Sequence, residues 1–263
     1  IWNQNLYLIA PLLTSPQRVR YKKIKEIIES GEYDIICFQE AFVKYYMNDI
    51  KQCATDYYFH QFPHGNSIAA QSTGIVVFSK YPIIEVSVYH YFHHGDYHAY
   101  KGVGLIRIEI NKRFRADIYN THLHACYHED AFDPSVDMYY SHRVAQAYDL
   151  ASFIQLTRKS ELCVLCADLN APVTDLVAQI PKTLCRLRDV LHDEDTTYWN
   201  HTNTFTTNAD NAKLQPLRLD YVLFDYNARA IANVDVRAKV LKEYAHTHVV
   251  NGYDNNNNDN DNR

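Results

Sequence analysis

Three short runs in this chain set oxygen and nitrogen donors directly after apolar stretches: Gln39-Glu40, Asn120-Thr-His-Leu-His124 and Ala167-Asp-Leu-Asn170. A fourth run, Arg218-Leu-Asp-Tyr-Val222, places an arginine and an aspartate at the start of an apolar stretch further on. If the apolar stretches are strands of one sheet system, their polar ends meet at a common rim. A carboxylate, an amide oxygen and an imidazole around one pocket are what metal-assisted phosphoryl transfer requires, because a hard cation such as Mg2+ takes oxygen ligands and neutralises phosphate charge. Taken singly, each residue has an ordinary structural use: Glu40 as a solvated strand end, Asp168 as a cap, Asn170 as a turn residue, His122 as a hydrogen-bonded structural histidine. The ordered set is far rarer than any member of it.

The elements that must position these groups are legible from periodicity. Residues 17–30 place Tyr21, Ile24, Ile27 and Ile28 at helical spacing, and Gly31 follows where a helix commonly stops. Apolar runs at 34–38, 74–79, 103–110, 114–121, 162–167 and 219–224 have the length and composition of strands. Between the fourth and fifth of these, residues 141–154 predict a second helix with Val144, Ala147, Tyr148, Ala151 and Ile154 on one face. The stretch from about 183 to 213 reads as loop-rich. Strand pairs with interspersed helices predict an α/β fold, a four-layer α/β/β/α sandwich of two mixed sheets, with a doubly wound sheet as the alternative. One catalytic domain over residues 1–250 is expected, followed by an Asn/Asp-rich low-complexity tail at 251–263.

Composition narrows the function. A formal net charge of −5 supplies no overall basic stripe to displace counterions from a nucleic-acid backbone, so no nucleic-acid partner is expected. The six cysteines are irregularly spaced and three, Cys37, Cys163 and Cys166, lie in apolar runs, which predicts reduced intracellular thiols rather than a disulfide framework. Cys163 and Cys166 are three apart on a strand and so face opposite sides, which excludes a shared metal. No run approaches the eighteen or so apolar residues of a membrane span. The start at Ile1 and the asparagine-rich end read as signs of a partial sequence.

The series DIICFQE, SKYPI, YNTHLHA, CADLN and RLDYVLF, in this order over essentially the whole chain, resembles the endonuclease/exonuclease/phosphatase superfamily. Two longer segments, HHGDYHAYKGVGL at 93–105 and SHRVAQAYDLASFI at 141–154, resemble animal neutral sphingomyelinases. The resemblance implies the sandwich fold and a Mg2+-dependent sphingomyelin phosphodiesterase that releases ceramide and phosphocholine. It implies Glu40 as the metal ligand, Asp168 and Asn170 as the groups that orient phosphate and water, His122 as a hydrogen-bond donor to the phosphoryl oxygens, and Asp220 as a supporting carboxylate. His124 matches the subfamily as well. Asp96 and Lys101 match a motif that serves activity or lipid response; with Tyr100 before Lys101 and Gly102 after it, this is no phosphate-binding loop, and a surface salt bridge is the alternative.

The same resemblance implies a membrane substrate, sphingomyelin or a lysophospholipid, reached at the cytosolic face of an internal membrane through segments outside this chain. The match departs at both ends. The asparagine that should precede Trp2 as a second metal ligand is absent from the chain, and no Ser-Asp-His segment supplies the expected base; His248 follows Thr247 instead. A nuclease of the same superfamily, an inositol polyphosphate phosphatase, an inactive lipid-binding homologue and a zinc hydrolase using His122, His124, His128 and His142 are the weaker readings.

Overall fold

Side-chain alternation along short apolar strands builds two sheets, each with one face for helices and one for the other sheet. The computed structural model describes residues 17–41, 44–63, 73–93, 100–126, 134–191, 197, 217–228 and 231. Strands β1 (Ile35–Phe38), β2 (Tyr58–Gln61) and β3 (Val76–Ser79) form an antiparallel sheet in the order β1-β3-β2. Strands β4 (Ile83–His90), β5 (Gly102–Asn111), β6 (Phe114–His122), β7 (Leu162–Asp168), β8 (Arg188–Asp189) and β9 (Asp220–Tyr226) form the second, in the order β4-β5-β6-β7-β9-β8. The β6–β7 pairing is parallel and the intervening helix α3 (Tyr140–Thr157) makes the crossover that parallel neighbours require.

Three apolar layers hold these elements together. Helices α1 (Gln17–Glu29) and α2 (Lys44–Cys53) bury Ile28, Met47 and Ile50 against Val76 and Phe78 of the smaller sheet. Between the sheets lie Phe62, Ile75, Val77, Ile106, Ile108, Ala116 and Ile118. On the far side α3 and α4 (Leu176–Cys185) cover the larger sheet through Leu150, Ile154 and Val177 packed on Leu105, Tyr119, Leu165 and Leu223. The order helix, sheet, sheet, helix is the four-layer sandwich the sequence predicts. Among the described residues no helix is long and apolar enough to cross a membrane.

Gly31 has φ +64° just beyond α1, as its position predicts. The face of α3 is rotated from the expected one: Tyr148 is 60% exposed, while Arg143 and Gln146 join Ala147, Leu150, Ala151 and Ile154 in the interior. Two buried polar residues on that face disguised it in the sequence. Helix α4 carries Pro181 in its middle, which reads as a breaker, yet Asp175 caps its start by accepting from the Val177 N–H at 2.8 Å. Edge strand β4 is half exposed, which removes the apolar signal that marks the central strands. The glycines of Lys101-Gly-Val-Gly104 allow close approach: a Cβ on Gly102 would stand 2.5 Å from Tyr89 O, and one on Gly104 2.6 Å from Phe62 Cδ2.

Candidate active site

The inter-sheet stripe of β6 runs Ala116, Ile118, Asn120, His122, so the apolar core gives way to an amide and then an imidazole at the strand end. On β7 the equivalent stripe is Leu162, Val164, Cys166, Asp168. Register does the rest: His122 is the Cα partner of Asp168 on β7, and Asp168 is the partner of Asp220 on β9. Three residues separated by up to 98 positions in the chain thus form one row across the large sheet. Glu40 follows β1 on the opposite sheet with φ +58°, a left-handed conformation rare for a residue with a Cβ.

Electrostatics tie the row into one site. His122 is 1% exposed and its Nε2 lies 3.5 Å from Asp168 Oδ2. Burial, then the Lys101 ammonium, then His124 hold the His122 imidazole well below its ordinary range, so the ring is neutral at pH 7. Neither of its nitrogens has a hydrogen-bond partner among the described residues. Burial pushes the Asp168 carboxyl well up, and the nearby Asp220 and Glu40 charges add to this against Lys101 and the Asn170 N–H. Asp220 rises for the same leading reason, burial, and through Glu40, opposed by a hydrogen bond from Thr197. Lys101, expected either in a lipid-responsive motif or in a surface ion pair, is 1% exposed and acts on both His122 and Asp168, which corrects the surface alternative.

Asn170 closes the site from the turn after β7. Its φ of +47° suits asparagine, its N–H donates to Asp168 Oδ1 at 3.0 Å, and its Nδ2 donates to Leu123 O at 3.0 Å. His124 lies fully buried, stacked on Tyr139 with ring centroids 4.1 Å apart, and its Nδ1 is 2.8 Å from Ala125 O. The structure therefore brings together Glu40, Lys101, His122, Asp168, Asn170 and Asp220, with His124 beside them in the layer under α3. Asp96, His128, His248 and Trp2 lie outside the described residues, as do positions 251–263.

The charge of Glu40 raises the proton affinity of Asp168 and Asp220, and that of Asp220 raises Asp168 further, so a divalent cation here would relieve the repulsion. Among the described residues no three His, Cys, Asp or Glu side chains are gathered closely enough to cage an ion by themselves. That arrangement fits Mg2+, which commonly takes one or two protein carboxylates and fills its remaining positions with water and substrate phosphate. Of the histidines in the zinc alternative, His128 lies outside the described residues.

Two residues that support this row are not among the expected site residues. Gln146 of α3 accepts from the His124 N–H at 2.8 Å and donates to His93 O, joining two site-end segments. Arg143 pairs with Asp137 and reaches Ala125 O. Both belong to SHRVAQ, so these two polar residues of that motif are explained by what they hold. A charged and an amide residue on a helix that otherwise reads as apolar was the available signal.

The chain belongs to the Endonuclease/Exonuclease/phosphatase family, whose pattern matches residues 2–240. It is 32% identical over 180 residues to a putative neutral sphingomyelinase of Drosophila melanogaster, covering 63% of this chain and 38% of that protein. It is 30% identical over 242 residues to sphingomyelin phosphodiesterase 2 of Homo sapiens, covering 85% and 55%. The chain thus spans about half the length of the curated relatives it matches. Among solved structures, a beta toxin variant from Staphylococcus aureus with bound magnesium ions superposes with a TM-score of 0.61 at 20% identity, over 78% of this chain and 77% of the toxin. D. rerio TDP2 complexed with a single-strand DNA product reaches 0.62 at 12% identity, over 82% and 80%. The fold is shared by both, so it does not choose the substrate.

Proposed function

We propose that the protein is a Mg2+-dependent sphingomyelin phosphodiesterase, hydrolysing sphingomyelin to ceramide and phosphocholine. The observation that carries this reading is the row His122, Asp168, Asp220, with a buried, neutral imidazole whose two nitrogens have no hydrogen-bond partner among the described residues, beside carboxylates that repel one another. Such a row offers a hydrogen-bond donor to a phosphoryl oxygen and a place for a cation in one line of sight. The sphingomyelin-acting relatives support the choice of lipid over nucleic acid, as does the net charge of −5.

In this reading Glu40 holds Mg2+, which, when bound, neutralises charge on the phosphodiester. His122 donates to a non-bridging oxygen and stabilises charge as it develops there, and Lys101 adds a fixed positive charge in a site shielded from water. Asp168 and Asn170, locked together by the turn hydrogen bond, orient phosphate and attacking water; Asp220 supports Asp168 from the next strand. The water oxygen forms the new bond to phosphorus, the bond from phosphorus to the ceramide oxygen breaks, and the water's proton ends on ceramide. Asp96 and His124 are proposed to serve lipid response and the support of His122.

Residues 1–250 make one catalytic domain followed by a low-complexity tail at 251–263. The six cysteines, all unbridged, support an intracellular site of action at the cytosolic face of a membrane. Sphingomyelin or a lysophospholipid in mixed micelles, with and without Mg2+, and a duplex containing an abasic site test this proposal side by side. Mg2+-dependent phosphocholine release from lipid supports it. Cleavage of the duplex with no release from lipid overturns it in favour of a nuclease.

A further inference from the structure

Glu40 has to be delivered from the small sheet to a row that belongs to the large one, and one buried side chain spans that gap. Asn120 is fully buried in the stripe that also carries His122. Its Nδ2 donates to Phe38 O at 3.1 Å and to Val76 O at 3.2 Å, the backbones of β1 and β3 in the opposite sheet. Its Oδ1 accepts from Gln39 Nε2 at 2.7 Å. One amide hydrogen and one lone pair are thus spent on the segment that ends in Gln39 and Glu40, and the other hydrogen on the β3 strand paired with it.

The other side of Glu40 is fixed too. The Ala41 N–H donates to Gly74 O at 2.8 Å, and Gly74 itself has φ +70°. Glu40 therefore sits between two anchors, Asn120 before it and Gly74 after it, in a left-handed conformation that persists only where the surroundings impose it. That conformation breaks the strand alternation in which Cys37 and Gln39 face the large sheet. It is the reason two successive residues, Gln39 and Glu40, both serve the same side.

We propose that Gln39 and Asn120 form a positioning pair that sets Glu40 across the inter-sheet gap, so that the hydrogen bond between the two amides governs the affinity of the site for its cation. The pair touches neither substrate nor cation and acts through Glu40. This rests on the reading that Glu40 holds the cation. Partners that orient a metal ligand typically change affinity by about 10- to 100-fold when removed.

The test uses Gln39→Met, which keeps the length of the side chain and leaves the Asn120 bonds to Phe38 and Val76 in place. Mg2+ binding is read by isothermal titration calorimetry and by the rise in melting temperature with Mg2+, alongside phosphocholine release. The expected result is a dissociation constant for Mg2+ raised about tenfold, with maximal release at saturating Mg2+ close to that of the unaltered protein. Tyr57→Phe, which removes a hydroxyl bond to Tyr33 O in the same small-sheet layer, controls for lost stability and should leave Mg2+ binding unchanged. Glu40→Gln alone should weaken Mg2+ binding strongly, and Gln39→Met added to it should do nothing further.

Unchanged Mg2+ affinity in Gln39→Met, with affinity lost in Glu40→Gln, would overturn the positioning pair and leave the metal site standing. Independent, multiplying effects in the double variant would also overturn it. Undiminished Mg2+ binding in Glu40→Gln would remove the metal ligand itself, and the pair with it.

Discussion

Gly104→Ala tests whether the two sheets are as closely apposed beneath the site as the structure requires. An added Cβ would stand 2.6 Å from Phe62 Cδ2, and closer still to two further ring atoms. Carbon atoms in contact prefer about 3.5–4.0 Å, so the ring must retreat by about 1 Å. It has nowhere to go: Phe62 is 0% exposed and the His60 ring packs on it edge to face at 4.7 Å. Overpacking of this kind costs about 1–3 kcal/mol. In a domain of this size each kcal/mol lowers the melting temperature by roughly 2–4 °C, so a loss of several degrees is expected in thermal melts followed by circular dichroism. Phe62→Leu shortens the ring side of the contact and should cost less in the Gly104→Ala background than alone, giving a coupling of about 1 kcal/mol. A Gly104→Ala protein as stable as its parent, or losses that simply add, would refute the close apposition of the sheets at this layer.

Arg107 is buried between Glu85 and Asp117, so Asp117→Asn leaves a largely uncompensated interior cation and should cost about 3 kcal/mol in urea unfolding. Burial raises the Asp117 carboxyl, but Arg107, the N–H groups of Lys159 and Ser160, and the Ser160 hydroxyl outweigh it and hold it below the usual carboxylate range. A lowered folded value means the stabilisation is complete above about pH 4 and is lost as pH falls through the folded value. Acid unfolding should therefore be steeper in the parent than in Asp117→Asn. Arg143→Met strands Asp137 in the interior, where both partners are 1% exposed, and should destabilise by about 3–5 kcal/mol in the same unfolding assay. Lys101→Met keeps the side-chain bulk but removes the cation beside His122 and Asp168, and should lower kcat by about 100-fold with the melting curve little changed.

The central strands were legible because they are apolar on both faces, and the site was legible because polar residues stand at their ends. The pairing of Asp168 with Asp220 was not, since it depends on β9 returning beside β7, a neighbour relation that no local pattern encodes. Edge strand β4 and helix α4 escaped for opposite reasons, the first through half exposure and the second through an interior proline. Asn120 stood in the sequence as one polar residue among several in a motif. Its placement at an alternate position of an apolar stripe shows why an amide, and not another isoleucine, is found there: the backbones of two strands in the other sheet need a donor.

Phosphocholine release by the protein from sphingomyelin in mixed micelles, measured against Mg2+ concentration for the parent, Glu40→Ala and His122→Ala, tests the assigned activity and its metal site most directly. Release should require Mg2+ and fall by at least about 100-fold in His122→Ala, with no Mg2+ response left in Glu40→Ala, while both variants melt cooperatively. Folded variants that release phosphocholine at the parental rate, or a parent whose release ignores Mg2+, would contradict it.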